Sequence, residues 1–327
     1  MEAPQPPAVE PPELRRRRWR DRFGDLGLHG VTLAAGAASV VLLGAIAWKV
    51  LAGSHRALSK FGLGFLTDRA WDPVKDVYGA LPLIFGTAVT SLIALLIATP
   101  LAIAIGLYLS ELAPRGVRGV VSSLVEMLAA IPSVVLGLWG IFVLGPFMAN
   151  HLEPWLNSAF GFLPLFRGEV ANSGILPAGL ILAIMVLPIV ASISKELFLA
   201  VPQELEEGAL ALGTTRWEMV RGVILPSARS GIAAAVILGL GRALGEAIAV
   251  TQVIGNVTGA QGIHWSLFAG GDTLASRIAN VFQGATTNLQ ISALFYLATI
   301  LLVMGLAANL AARWIVRRFE LQHGGAA

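Results

Sequence analysis

Arg242 and Glu246 are the side chains in this sequence whose types and spacing best suit chemistry. They stand four residues apart inside a long apolar run, so on a helix they share one face, together with Gly239 and Val253. Counted from Ser230, Arg242 lies about 18 Å into that run, near the middle of a bilayer. An ionised arginine at that depth costs at least ~2.5–3.5 kcal/mol, so it must face other helices or a wet cavity. Its guanidinium fork matches a phosphate-type oxyanion bidentately, which would make the pair part of an anion path. An internal ion pair that only fixes packing is the alternative. Glu126 is a third candidate for such a path, one or two turns into its own apolar run; the other reading is an interfacial carboxylate that snorkels.

A second constellation lies between two apolar runs, from Glu207 to Pro226. Pro202 suits a first helical position, and Glu204, Glu206 and Glu207 place negative charge in the first turn, where it complements the helix dipole. Leu205, Ala209 and Leu212 form one apolar stripe. Gly213 then suits the left-handed residue that ends a helix. Thr215-Arg-Trp-Glu218 is a capping box opening a second short helix, with Trp217, Val220 and Ile224 on its apolar face. Leu225-Pro226 is expected to close the unit.

Other chemistry is excluded by what the chain lacks. It has no G-x-x-x-x-G-K-[ST] loop, no H-E-x-x-H and no Ser/His/Asp arrangement. Gly239-Leu-Gly241-Arg-Ala-Leu-Gly245 misses the dinucleotide fingerprint by one residue and follows no strand. It reads better as a G-x-x-x-G edge for close helix packing through Gly241 and Gly245. The five histidines are scattered and there is no cysteine, so neither a metal site nor a disulfide framework is expected. No cofactor is implied, and no pattern for nucleic acid appears.

The elements that must hold these residues are membrane spans. The 327 residues are 56% hydrophobic and only 13% charged, where a soluble domain carries about a quarter. Six apolar runs are long enough to cross a bilayer: Val31–Leu51, then about 81–109, 120–148, 174–199, 230–254 and 289–316. Glu126 and Pro132 fall in the third, with Pro100 and Pro188 inside the second and fourth. The expected fold is therefore an all-α polytopic membrane protein. Residues 1–29, Pro-rich and then basic from Arg15 to Arg20, read as a disordered tail touching anionic headgroups. Residues 30–52 are the first span and 53–79 an outer segment, with Trp71 and Tyr78 as interface aromatics. With both termini inside, the inner segments hold fifteen of the 23 Lys and Arg residues, as the positive-inside rule requires.

The 207–226 stretch resembles the cytoplasmic EAA loop of ABC-importer permeases. Glu207-Gly208-Ala209, Gly213, Leu225 and Pro226 all stand at that family's spacing, with Gly208 in place of an alanine and Val223 in place of an isoleucine. Gly241-Arg-Ala-Leu-Gly-Glu-Ala-Ile-Ala-Val250, followed by Ile254-Gly-Asn256, looks like the matching stretch of PstC-type phosphate permeases. Ile131-Pro-Ser-Val-Val-Leu-Gly-Leu138 resembles another. Ala247, Ile248 and Leu136 depart from that pattern, where the family has Thr, Met and Tyr. The resemblance implies a type I ABC-importer permease fold over residues 80–320, with a coupling loop at 201–226 that docks into a separate ATPase. It also implies inorganic phosphate as substrate, a bacterial inner-membrane location, and three partners. These are a second permease of the PstA type, a PstB-type ATPase dimer and an extracytoplasmic PstS-type phosphate-binding protein. Permeases for sulfate or molybdate, a stand-alone carrier or channel, and a membrane scaffold are the alternatives.

Overall fold

The computed structural model describes residues 12–323, as two units divided after Ala52. The first unit is formed by one helix, α1 (Pro12–Gly53), whose last residue already belongs to the second unit and whose apolar part begins at Gly24. The arginine run therefore lies on a helix continuous with the span, where the sequence pattern predicts a disordered tail over residues 1–29. Residues 1–11 of that expected tail lie outside the described residues.

The second unit opens with α2 (His55–Phe61) and a two-stranded antiparallel hairpin, β1 (Trp71–Asp72) and β2 (Val77–Tyr78), with Trp71 opposite Tyr78. Tyr78 and Phe65 are fully buried in a cluster with Leu83, Leu274, Leu294 and Leu297. Of the two expected interface aromatics, Tyr78 is thus a core residue, while Trp71 is partly buried against the same cluster. The Ser292 hydroxyl accepts from the Ala57 N–H at 3.0 Å and donates to the Gly53 carbonyl at 2.8 Å, which fastens this cap to the last span.

Spans two and four form the centre of the unit. α3 (Leu81–Leu107) presents Ala94, Ala98, Ala102 and Gly106 at a spacing of four to α8 (Ile175–Leu199). A Cβ added at Gly179 would stand 2.6 Å from the Ile93 side chain. Between membrane helices lipid is as apolar as leucine, so close backbone approach through small residues supplies the attraction. α8 is the central element, because 72% of its apolar window is buried against 22–33% in the unit's other spans.

The third span departs from expectation. α4 (Arg115–Ala130) stops at Ile131-Pro132, and the membrane-length helix starts only at Ser133, running to Phe160 as α5 (Ser133–Trp139), α6 (Gly145–Phe147) and α7 (Glu153–Phe160). α4 is an amphipathic helix that turns Val121, Ser122, Val125 and Leu128 toward its neighbours, α8 among them.

Prolines explain the irregular turns of these helices. Widened π-type turns occupy Tyr108–Leu112, Gly140–Leu144, Met148–Leu152 and Val220–Ile224, and each ends two residues before a proline: Pro114, Pro146, Pro154 and Pro226. In every case the residue just ahead of the proline donates to the carbonyl five residues back, as Leu225 does to Val220. A proline has no N–H, and its ring crowds the residue before it and the carbonyl four residues back. One wider turn lets the chain pass that obstruction without a break.

The rest of the unit comprises α9 (Gln203–Ala211), α10 (Arg216–Met219), α11 (Leu225–Gly245), α12 (Ile248–Val253), α13 (Leu274–Val281) and α14 (Asn288–His323). α10 runs through the π-type turn into α11, so Leu225-Pro226 lies inside the continuous helix from Arg216 to Gly245 and does not close the loop.

Candidate functional site

The fifth span breaks where its charges are. α11 ends at Gly245, Glu246 is extended (φ −73°, ψ 120°), and α12 restarts at Ile248. Arg242 and Glu246 therefore do not share one helix face as their spacing predicts, yet they still pair, with Arg242 Nη2 3.4 Å from Glu246 Oε2. The two are unequally placed: the Arg242 side chain is 46% exposed and that of Glu246 only 8%. The other Glu246 oxygen accepts from the Ala249 N–H at 3.4 Å, in the first turn of α12, where a helix N-terminus favours negative charge. The carboxylate is thus tied into the fold, while the guanidinium reaches outward.

It reaches onto an open face. Leu238, Gly241, Arg242, Gly245 and Ile248 are all exposed, and a Cβ added at Gly241 or Gly245 would meet nothing within 4 Å. The expected close-packing edge at these two glycines is therefore absent within the chain. Gly239 does that work: a Cβ there would come 2.8 Å from Val186. An arginine beside two glycines leaves backbone and charge accessible to an anion or to another chain.

Glu126 is not part of this arrangement. It is exposed on α4, outside the third span, and its Oε1 accepts from the Ser122 hydroxyl at 3.2 Å. Ser122 in turn accepts from Lys195 Nζ of α8 at 3.0 Å. The three link two helices, and the structure shows no contact from them to Arg242 or Glu246.

The short-helix pair between spans four and five forms as its spacing predicts. Pro202 is the N-cap of α9, one position earlier than expected. Gly213 has φ +86°, the left-handed conformation that favours glycine. Thr215 and Glu218 make both halves of a capping box. Burial divides the apolar residues differently from the expected stripes. Met219 and Ile224 pack on Phe198 and Ala228, with Ala209 and Val220 partly covered. Leu205, Leu212 and Trp217 point outward, 51%, 87% and 66% exposed. Glu207 and Gly208 are also exposed. Burial, then the charges of Glu111 and Glu207, push the Glu206 carboxyl above its ordinary range.

A further buried pair was hidden in the glycine-rich stretch. Asp272 is fully buried, and its Oδ2 lies 2.5 Å from Arg277 Nη2 on α13. Arg277 also donates to the Asn256 carbonyl at 3.3 Å and lies over the Trp71 ring. Thr273 caps α13 through the Ser276 N–H. The Asp272 carbonyl sits where a Cβ at Gly86 would be, so α3 must carry a glycine there. The Thr273-x-x-Ser276 cap ahead of an apolar run was the available signal. Among the described residues no cluster could hold a metal ion.

Residues 98–321 match the family described as binding-protein-dependent transport system inner membrane component. The chain is 45% identical over 304 residues to the phosphate transport system permease protein PstC of Mesorhizobium japonicum, covering 92% of each chain. It is 42% identical over 288 residues to the protein of that name from Pasteurella multocida, covering 87% of this chain and 89% of that one. Among solved structures, a chain of a bacterial alginate ABC transporter in complex with alginate pentasaccharide-bound periplasmic protein superposes with a TM-score of 0.58. That pair is 18% identical, with 93% of this chain and 98% of the other covered, a likeness of fold.

Proposed function

The chain belongs to the family of binding-protein-dependent transport system inner membrane components, and from that premise we propose that it is the permease subunit of an ATP-driven importer for inorganic phosphate. Its place is a multi-pass inner-membrane protein and a transport component, not an enzyme. The observation that carries the substrate is the 45% identity, over nearly the whole of both chains, to a relative named for phosphate transport. The arrangement at Arg242 is consistent with it. A hydrated anion crosses hydrocarbon only where fixed positive charge replaces part of its water, and a half-exposed guanidinium supplies a bidentate phosphate contact. Glu246 would hold that guanidinium while the path is empty and compete with the ion for release.

In this reading the open face around Gly241, Arg242 and Gly245 meets a second permease of the PstA type, so that the path runs between them. Leu205, Leu212 and Trp217, with Glu207 and Gly208 beside them, would enter a groove on the PstB-type ATPase dimer. Gly213, Leu225 and Pro226 set the angle at which that surface is presented. A PstS-type binding protein would deliver phosphate at the opposite end, with both termini cytoplasmic. Glu126 would act at most indirectly, through Ser122 and Lys195.

The test is co-expression with the three partners and reconstitution into vesicles. Loaded phosphate-binding protein should stimulate ATP hydrolysis and drive phosphate uptake. Stimulation by sulfate in place of phosphate would reassign the substrate, and uptake without the ATPase would refute the importer.

A further inference from the structure

A groove of about 440 Å³ opens between α11 and α14, at the end of the bundle that carries the 203–224 loop. Its lining is graded along its length. Ser230 of α11 stands at the loop end with Arg313 and, one turn beyond it, Val316 of α14, and Asn309 stands one turn deeper. Ala234 and Leu238, one and two turns further along α11, line the inner part. No ion pair engages Arg313 among the described residues, and its side chain is exposed. Asn309 spends one amide hydrogen on the Gly305 carbonyl at 2.9 Å and leaves its side-chain oxygen available.

We infer that this groove is a binding site for an anionic phospholipid. A cation between two membrane helices, at the level where their apolar part ends, meets the phosphate of a headgroup. The guanidinium takes the phosphodiester oxygens as a fork. The Ser230 hydroxyl and the Asn309 oxygen supply the donor and acceptor that a glycerol headgroup matches. Ala234, with no side chain beyond Cβ, leaves room for an acyl chain against Leu238. A free phosphate ion shares the first contact but has nothing to place along the apolar inner part, so the graded lining favours the lipid. The site adjoins the Arg242 face, shares Leu238 with it and ends one turn short of Arg242, but it does not depend on the transported ion.

Native mass spectrometry of the full-length chain in detergent tests this, with dioleoyl phosphatidylglycerol, dioleoyl phosphatidylcholine and inorganic phosphate as probes. The wild type should bind phosphatidylglycerol at least about fivefold more tightly than phosphatidylcholine, the weight of one basic side chain near a membrane surface. Arg313→Gln should erase that preference, and Ala234→Phe, which fills the inner groove, should lower the occupancy of both lipids. Melting temperatures equal to wild type would show that both variants remain folded. Equal binding of the two lipids by the wild type, or phosphatidylglycerol binding unchanged in both variants, would overturn the assignment. Displacement of the lipid by millimolar inorganic phosphate in an Arg313-dependent way would overturn it in favour of the free ion.

Discussion

The asymmetry between Arg242 and Glu246 decides how the pair should be tested. Because Glu246 is the buried member, Arg242→Gln alone leaves a carboxylate without its cation and risks ~3–5 kcal/mol of stability, whatever the arginine does. The double variant Arg242→Gln/Glu246→Gln removes both charges and that penalty. If Arg242 lines a phosphate path, the double variant should assemble at wild-type yield and show no phosphate uptake in vesicles. If the pair only fixes packing, uptake should return with assembly. Arg277 belongs to the other class. With Asp272 fully buried against it, Arg277→Gln should lower stability by about 3–5 kcal/mol, and Arg277→Gln/Asp272→Asn should recover much of that in thermal unfolding. The first pair was legible because a charge in an apolar run is conspicuous. The second was not, because Asp272 and Arg277 lie in a glycine-rich stretch that looks solvent-exposed until α3 and the 71–78 hairpin close over it. Glu126 was legible as a charge but misplaced, since an amphipathic helix running into a span cannot be told by hydropathy from the span itself.

At the scale of elements, local signals with a stereochemical cause survived into the fold, and signals that depend on neighbours did not. The Thr215–Glu218 box and the left-handed Gly213 need only adjacent backbone. The end of α11 at Gly245 and the emptiness around Gly241 depend on what packs nearby, which spacing alone does not encode. Gly213 carries the sharper prediction. A residue with a Cβ in that conformation costs roughly 1–2 kcal/mol, locally and without touching the core. Gly213→Leu should therefore leave the permease folded, yet reorient Leu205 of α9 and Leu212 at its C-cap relative to Trp217. The expected outcome is loss of the ATPase subunit on purification, or ATP hydrolysis no longer stimulated by loaded binding protein. A surface loop resting on headgroups would tolerate the change, so normal phosphate-stimulated hydrolysis in Gly213→Leu would remove the docking role.

At the scale of the whole molecule, six helices among the described residues are long and apolar enough to span, and their boundaries mostly fall within a few residues of those expected from hydropathy. The exceptions are the third, displaced by a proline that ends α4, and the fifth, whose helix runs from Arg216 to Gly245 where hydropathy puts 230–254. The proposed sidedness rests on charge. The segments assigned to the inside hold most of the arginines and lysines, and translocation of basic loops is disfavoured. The absence of native cysteine lets single introduced thiols report on this cleanly. Ser158 stands in the last turn of the third span's helix and Leu212 in the loop between spans four and five; both are exposed, and the fourth span separates them. With the termini inside, an odd number of crossings puts Ser158 outside and an even number puts Leu212 inside. A membrane-impermeant maleimide applied to intact cells should thus label Ser158→Cys and spare Leu212→Cys until the membrane is opened. Labelling of Leu212→Cys in intact cells would invert the topology. It would also place the 203–224 loop where no ATP is available, and with it the coupling role of Gly213 and Trp217 would fall.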